Sequence, residues 1–153
     1  MFLQAALFND KKENEMKKTS IVVFIITLVA MLAINLLSNS LNFITYLVIV
    51  ILPILFTAVY IVKEKNNGMT YSFGNSLIDT IIYTLIYAVG SYFAFISEGY
   101  KKILENSFNI GSQNIKIGSV EGLTATDLFL PFFVALIVFY LAGRKSQKDE
   151  EIK

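Results

Sequence analysis

The sequence predicts an all-α integral membrane protein, in which four spanning helices form a bundle of two helical hairpins. Hydrophobic residues make up 55% of the 153 residues and charged residues only 16%. The mean hydropathy is +0.60, and a soluble domain is rarely so apolar. A spanning helix needs about 20 mainly apolar residues, and four segments meet or approach that length: 20–37, 43–62, 77–96 and 128–142. The short polar connection between the first two makes them antiparallel neighbours.

These spans define one transmembrane domain, residues 20–143. An N-terminal segment, 1–19, precedes it, and a mixed-charge tail, 144–153, follows it. The longest polar segment, 98–126, lies between the third and fourth spans. No stretch outside the spans has enough apolar residues to build a separate soluble core.

The first span has two interpretations. Met16 begins a basic start and an apolar run, and Ser38 and Ser40 have the spacing of a signal-peptidase site, so a cleavable signal peptide is one of them. The apolar run 21–37 is longer than the roughly 7 to 15 residues typical of such peptides, which favours a retained helix. Residues 1–15 match no folded element.

The second span has Pro53 at its middle. Proline removes one backbone hydrogen bond, so it predicts a helix kink unless Thr57 or a neighbouring helix satisfies the freed carbonyl. Tyr46 and Tyr60 lie on the same face as these two residues. A packing kink is the favoured interpretation, and a gate or binding notch is the alternative.

The third span carries a polar stripe, which we define as the helix-contact face. At about 100° per residue, hydroxyl-bearing and small residues fall within roughly a third of its circumference: Thr80, Tyr83, Thr84, Tyr87, Gly90, Ser91 and Ala94. Gly90 and Ala94 allow a neighbouring helix to approach closely, and the hydroxyl groups can form hydrogen bonds across that contact. Its partner is another helix of the bundle, a second copy of the chain, or a substrate path.

Asp79 is an acidic residue within this apolar segment. A carboxylate inside a membrane is by default a candidate ion or proton site. Ser76, three residues earlier, forms a capping-box pattern with it, and a carboxylate is favourable at the positive end of a helix dipole. The spacing favours a cap, with the ion or proton site as the alternative.

The segment 98–126 has two parts. Apolar residues in the first part repeat at helical spacing: Tyr100, Ile103, Leu104 and Phe108. This pattern predicts a short amphipathic helix on the membrane surface. In the second part, residues 114–117 alternate between polar and apolar, and glycines lie on both sides of them, as in a loop or small hairpin. Thr124 with Asp127 offers another capping box.

The distribution of Lys and Arg predicts the orientation. Ten lie in the N-terminal segment, in the connection after the second span and in the tail, whereas three lie in 98–126. The positive-inside rule therefore places both termini in the cytoplasm and 98–126 outside it.

The side-chain inventory excludes several function classes. The chain has no Cys and no His, which removes thiol nucleophiles, imidazole bases and the usual zinc or haem ligands. No cofactor or metal site is predicted. No serine within a span has a neighbouring base, and Asp79 and Asp127 begin helices on opposite sides, so we expect no enzyme. A net charge of +1 gives no reason to expect nucleic acid as a partner.

The stretch KEKNNGMTYSFGNSLID, residues 63–79, combined with four spans in about 150 residues, resembles a family of small bacterial four-helix membrane proteins of unknown function. The likeness is best over the second and third spans. It implies a structured cytoplasmic turn at Gly68, Phe73 and Gly74, and it supplies no activity.

The leading functional hypothesis is a non-enzymatic bacterial inner-membrane protein that acts through protein contacts. An immunity or accessory protein for a toxin or membrane complex is an example, with the lipid bilayer and a membrane protein or a second copy as partners. One alternative is a small oligomeric transporter or channel subunit, whose path Asp79 and the tyrosines would line. Another is a phage-type membrane permeabiliser.

Overall fold

The computed structural model describes the backbone of residues 2–108 and 125–144 and the side chains of 17–107 and 127–144. Within these residues the chain forms five helices and no strand. They are α1 (Phe2–Leu37), α2 (Phe43–Asn66), α3 (Phe73–Ile96), α4 (Gly99–Phe108) and α5 (Ala125–Arg144). Four segments are long and apolar enough to cross a membrane: Lys17–Leu37, Phe43–Asn66, Phe73–Ile96 and Asp127–Arg144. The prediction of an all-helical, multi-pass membrane protein is confirmed.

The first helix begins much earlier than predicted. Residues 1–15 were expected to match no folded element, but α1 starts at Phe2 and runs without interruption into the first span. No Gly or Pro interrupts the sequence before Leu37, and the charged run consists mainly of Lys and Glu, which are good helix formers. Helix propensity therefore extends the helix beyond the span on its N-terminal side.

The third helix also begins earlier, and this changes the role of Asp79. Its N-cap is Ser72, whose Oγ accepts a hydrogen bond from the Asn75 amide at 3.4 Å. Ser76 lies one turn inside the helix and donates through its Oγ to the Ser72 carbonyl. The predicted capping box of Ser76 and Asp79 is wrong, because Ser72 supplies the cap and Asp79 lies beyond the unpaired amides of the first turn.

The four long helices form a ring in the order α1, α2, α5, α3. Helix α1 packs against α2 and α3, and α5 packs against the same two helices. Helices α2 and α3 therefore lie across the ring from each other. We call one end the lysine-rich end, where α2 finishes with Lys63 and Lys65 and α5 finishes with Arg144. The opposite end is the α4 end.

The bundle core has two apolar clusters, one towards each end. The cluster of the lysine-rich half contains Val23, Ile54, Ile61, Met69, Tyr83, Ala135, Phe139 and Ala142. The cluster of the α4 half contains Met31, Ile34, Leu41, Tyr46, Val50, Tyr87, Ala94 and Ile103. Many other large apolar side chains of the spans are exposed on the outer surface, as expected for helices whose surroundings are lipid.

Helices α1 and α3 approach closely at Gly90. A Cβ atom at Gly90 would lie 2.6 Å from the Cβ and Cγ of Met31. Asn35 crosses the same contact, because its Nδ2 donates to the Gly90 carbonyl at 3.1 Å and to the Met31 carbonyl at 2.8 Å. Close packing and interhelical hydrogen bonds are the main sources of helix association where lipid surrounds the bundle.

Helix α4 covers the end of the bundle. Asn106 Nδ2 donates to the carbonyls of Asn39 and Leu41, both at 2.9 Å, and Ser107 Oγ accepts from the Phe43 amide at 2.7 Å. These bonds satisfy backbone groups of the α1–α2 turn and of the α2 N-terminus. Ile103, which is 1% exposed, packs in the α4-half cluster. The predicted amphipathic helix is therefore present. Its apolar side was expected to face lipid at the membrane surface, but it covers the end of the bundle instead.

For the connection to the fourth span, the sequence predicts a hairpin and a capping box of Thr124 and Asp127. The proposed hairpin around 114–117 and the capping residue Thr124 lie outside the described residues. Asp127 is in the first turn of α5, where a carboxylate interacts favourably with the helix dipole.

We expect Gly90→Ala to destabilise the bundle by about 1–2 kcal/mol, because overpacking costs about 1–3 kcal/mol and the better helix propensity of Ala offsets up to about 1 kcal/mol. The matched control is Gly74→Ala, since a Cβ there meets only Ser72 Oγ, at 3.6 Å. Unfolding in detergent micelles measures both variants. Equal stabilities for the two would show that the α1–α3 contact tolerates a methyl group.

Candidate functional site

Asp79 lies at the lysine-rich end of α3 and is 1% exposed. Ser20 Oγ of α1 donates to its Oδ1 at 2.6 Å, and the Tyr71 hydroxyl donates to its Oδ2 at 2.8 Å. A buried carboxylate is costly unless it is hydrogen-bonded, and both oxygens have donors here. The carboxylate therefore joins α1, the α2–α3 connection and α3.

Tyr71 connects this carboxylate to α5. Burial, and after it the neighbouring Asp79 carboxylate, raises the pKa of the Tyr71 hydroxyl, so the group stays protonated and donates at neutral pH. A Cβ at Gly143 would lie 2.5 Å from Cδ1 of the Tyr71 ring, and the Gly143 carbonyl accepts a hydrogen bond from Lys65 Nζ. The connection is thus packed against the end of α5.

The α2–α3 connection has defined backbone geometry. Gly68 has a φ of +91°, a conformation that glycine adopts without strain. The amides of Gly68 and Met69 donate to the carbonyls of Lys65 and Glu64 at 2.9 and 3.0 Å, which closes the C-terminus of α2. Phe73 contacts Tyr140 of α5 edge-on, with ring centroids 5.7 Å apart. These contacts give the turn its structure.

The helix-contact face of α3 lies against other helices of the same chain. Six of its seven residues are buried and Thr84 is half-buried. Thr80 and Thr84 donate to carbonyls one turn earlier in α3, at 2.7 and 2.8 Å. Gly90 meets α1 as described, and two tyrosines reach α2. The face is therefore occupied inside the bundle.

The tyrosines bridge the ring between α3 and α2, and we call Tyr46, Tyr87 and Tyr100 the tyrosine cluster. The Tyr46 hydroxyl is hydrogen-bonded to the hydroxyl of Tyr87 at 3.1 Å and to that of Tyr100 at 2.8 Å. Burial, and after it the neighbouring Tyr87, raises the pKa of Tyr100 to about 12. Tyr100 is therefore protonated at neutral pH, and the cluster links α2, α3 and α4.

A further tyrosine contacts α2 near its proline. Pro53 lacks the amide that would pair with the Ile49 carbonyl, and the Tyr83 hydroxyl donates to the next carbonyl, that of Val50, at 3.1 Å. Thr57 Oγ1 has no hydrogen-bond partner among the described residues, so Thr57 does not supply the bond expected of it. The donor from α3 reaches the Val50 carbonyl and not the carbonyl freed by Pro53, and the kink itself stays a prediction.

A cavity of about 630 Å³ lies beside the tyrosine cluster, between α2, α3, α4 and α5. Its lining is mainly apolar and aromatic: Phe43, Tyr46, Leu47, Val50, Ile51, Ile54, Tyr83, Tyr87, Phe95, Tyr100, Ile103, Leu104, Asp127, Leu130, Pro131 and Val134. Small-molecule sites typically have volumes of about 300–1,000 Å³ and this kind of lining. The cavity is the candidate binding site.

The mouth of the cavity lies between α2 and α5. Leu47 and Ile51 of α2 and Leu130 and Val134 of α5 line the cavity and are also exposed on the outer surface. Their helices are candidate membrane spans. The mouth therefore opens sideways, towards the lipid that surrounds the bundle.

Sequence reasoning missed three participants in these sites. It assigned Tyr100 to a lipid-facing side, placed Tyr71 only within a turn, and gave no role to Ser20. Ser20 is 59 residues from Asp79 and has no local signal, since the bond depends on how the helices pack. Tyr71 is only eight residues from Asp79, but their bond depends on how the α2–α3 connection folds back on α3. The tyrosines of α2 and α3 did carry a signal, because each lies on a predicted polar face.

The fold and these sites define a multi-pass helical membrane protein with a buried, hydrogen-bonded carboxylate at one end and an apolar cavity at the other. No family model matches the chain, and neither a curated protein nor a solved structure matches it. The resemblance carried by residues 63–79 stays a prediction.

We expect Tyr71→Phe to destabilise the protein by about 1–3 kcal/mol at neutral pH, because the buried Asp79 oxygen loses its donor. The raised pKa of Tyr71 means that the folded protein holds this proton more tightly than the unfolded chain, where the pKa is about 10. The stabilisation is therefore present below about pH 10 and is lost as the pH rises above it. The difference between wild type and variant should shrink in that alkaline range.

Unfolding in detergent as a function of pH measures this difference. Tyr92→Phe is the matched control, since Tyr92 is 57% exposed and its loss should change stability little. A Tyr71→Phe protein as stable as wild type at pH 7 would contradict the role of the bond.

Proposed function

We propose that this chain is a non-enzymatic protein of a bacterial cytoplasmic membrane that acts by binding other membrane components. An accessory or immunity role for a toxin or a membrane complex belongs to this class. The observation that carries the proposal is the cavity of about 630 Å³ at the α4 end, a preformed space that other molecules can reach from the side of the bundle.

The cavity is closed towards the lysine-rich end, which supports binding over passage. Below it the core is filled by the cluster of the lysine-rich half, in which Ile61, Tyr83 and Phe139 are fully buried. A channel through a single bundle would have to cross this layer. A cavity that is closed at one end inside the bundle can hold a ligand but cannot conduct it across the membrane.

The position of Asp79 also favours binding over transport. Asp79 lies in the second turn of α3 and does not line the cavity, whose α3 lining begins one turn later, at Tyr83. Both carboxylate oxygens are held by neighbouring hydroxyl groups. The carboxylate thus stabilises the packing of the lysine-rich end, and the cavity and the carboxylate are separate features.

The contact face expected on α3 is used within the chain, so a partner has to bind elsewhere. The α4 end offers the cavity mouth and the outer side of α4. Lys101 and Glu105 are exposed on that outer side, whereas Ile103 is buried. We place the partner-binding region at this end.

The proposed orientation has both termini in the cytoplasm. Lys63 and Lys65 in the last turn of α2 and Arg144 in the last turn of α5 lie at the same end of the bundle, and the positive-inside rule assigns that end to the cytoplasm. The cavity then opens into the outer half of the bilayer.

A topology experiment tests this orientation. A reporter fused after Lys153 should be cytoplasmic, and one inserted between Gly111 and Gly122 should be on the other side of the membrane. Insertion of the same reporter between Asn66 and Asn67 should match the C-terminal result. Finding the first two on the same side would contradict the four-span arrangement.

Binding through the cavity is tested with the full chain extracted from membranes in polymer discs without detergent. We expect mass spectrometry to detect a co-purified component that Val134→Trp reduces at least about tenfold, because the indole fills the cavity, corresponding to about 1.4 kcal/mol. Ile137→Trp is the matched control, since Ile137 is on the same helix and outside the cavity.

Two outcomes would contradict the proposal. Proton flux into liposomes that Asp79→Asn abolishes would support the transporter or channel alternative. Lysis on overexpression, with dye leakage from liposomes, would support the membrane permeabiliser.

A further inference from the structure

We infer that the cavity binds one acyl chain of a membrane glycerolipid. This inference rests on the proposed function, because it assigns an occupant to the cavity through which the protein is proposed to bind. Three features of the cavity support it: its mouth, its depth and its roof.

The mouth faces the hydrocarbon region. Leu130 at its edge is 71% exposed, and Ile51 and Val134 line the cavity while also facing outward. Since these residues belong to candidate spans, the molecules that meet the mouth are lipid chains. An acyl chain enters without crossing water or displacing any buried polar side chain.

The depth of the cavity matches one leaflet. The lining on α2 runs from Phe43 and Tyr46 near the start of the helix to Ile54. Eight residues of helix from Tyr46 to Ile54 correspond to about 12 Å, and half of the hydrocarbon core of a bilayer is about 15 Å. The apolar depth is therefore that of a single chain from the adjacent leaflet.

The roof and the closed floor exclude a spanning helix as occupant. Such a helix has a diameter of about 10–12 Å and must continue for about 30 Å. Helix α4 covers one end of the cavity through Tyr100, Ile103 and Leu104, and Tyr83 and Ile54 close the other. A flexible chain that enters from the side fits this space.

Photo-crosslinking tests the occupant directly. The purified full chain is incubated in micelles with a phosphatidylcholine that carries a diazirine in one acyl chain, and crosslinked peptides are identified by mass spectrometry. We expect crosslinks concentrated on cavity residues such as Ile54 and Val134. Val134→Trp should reduce them at least about tenfold, corresponding to about 1.4 kcal/mol, and Ile137→Trp should leave them unchanged.

If Val134→Trp does not fold, as judged by its thermal transition, Ile51→Trp replaces it.

The outcomes separate this inference from the proposed function. Crosslinks spread evenly over outward-facing residues such as Ile137 and Val89, or cavity crosslinks that survive Val134→Trp, would overturn the acyl-chain site. If a co-purified protein still depends on the open cavity, the proposed function stands and this occupant is wrong. If neither a protein nor a lipid depends on it, both fail.

Discussion

The separation of α2 and α3 across the helix ring is the constraint on which the rest of the interior depends. Helices α1 and α5 occupy the other two corners and hold α2 and α3 apart, so side chains have to fill the space between them. In the lysine-rich half, Phe139 and Ile61 lie in this space and are fully buried. In the α4 half, the long tyrosine side chains and α4 fill part of it, and the remainder is the cavity.

The two ends of the bundle consequently differ in how they are stabilised. At the lysine-rich end, Asp79 joins three parts of the chain through short hydrogen bonds, and Tyr71 packs against Gly143. At the α4 end, a ten-residue helix is attached through Asn106, Ser107 and Tyr100. Since lipid gives no hydrophobic force between helices, these polar contacts and the close approach at Gly90 account for the association of the spans.

Hydropathy was sufficient to predict the four spans and the helical class, because the requirement of about 20 apolar residues is local. It was not sufficient to locate the start of α3. Ser72 and Ser76 are one turn apart and both offer cap chemistry, and the choice depends on Ser20 and Tyr71, which satisfy Asp79 inside the helix. The periodicity of α4 likewise identified an apolar side but not whether lipid or protein covers it. A cavity between splayed helices has no counterpart in a sequence pattern.

Tyr100 connects the position of α4 with the contents of the cavity. Its hydroxyl is hydrogen-bonded to Tyr46, which is also the central group of the cluster, and its ring meets that of Tyr46 edge-on at 5.5 Å. Tyr46 and Tyr100 both line the cavity, so an occupant contacts the groups that attach α4 to α2. Binding that strengthens this arrangement stabilises the docked position of α4, and by thermodynamic linkage the docked position strengthens binding to the same extent. The proposed binding site thus lies at one end of the bundle, while the hydrogen-bonded carboxylate stabilises the other end.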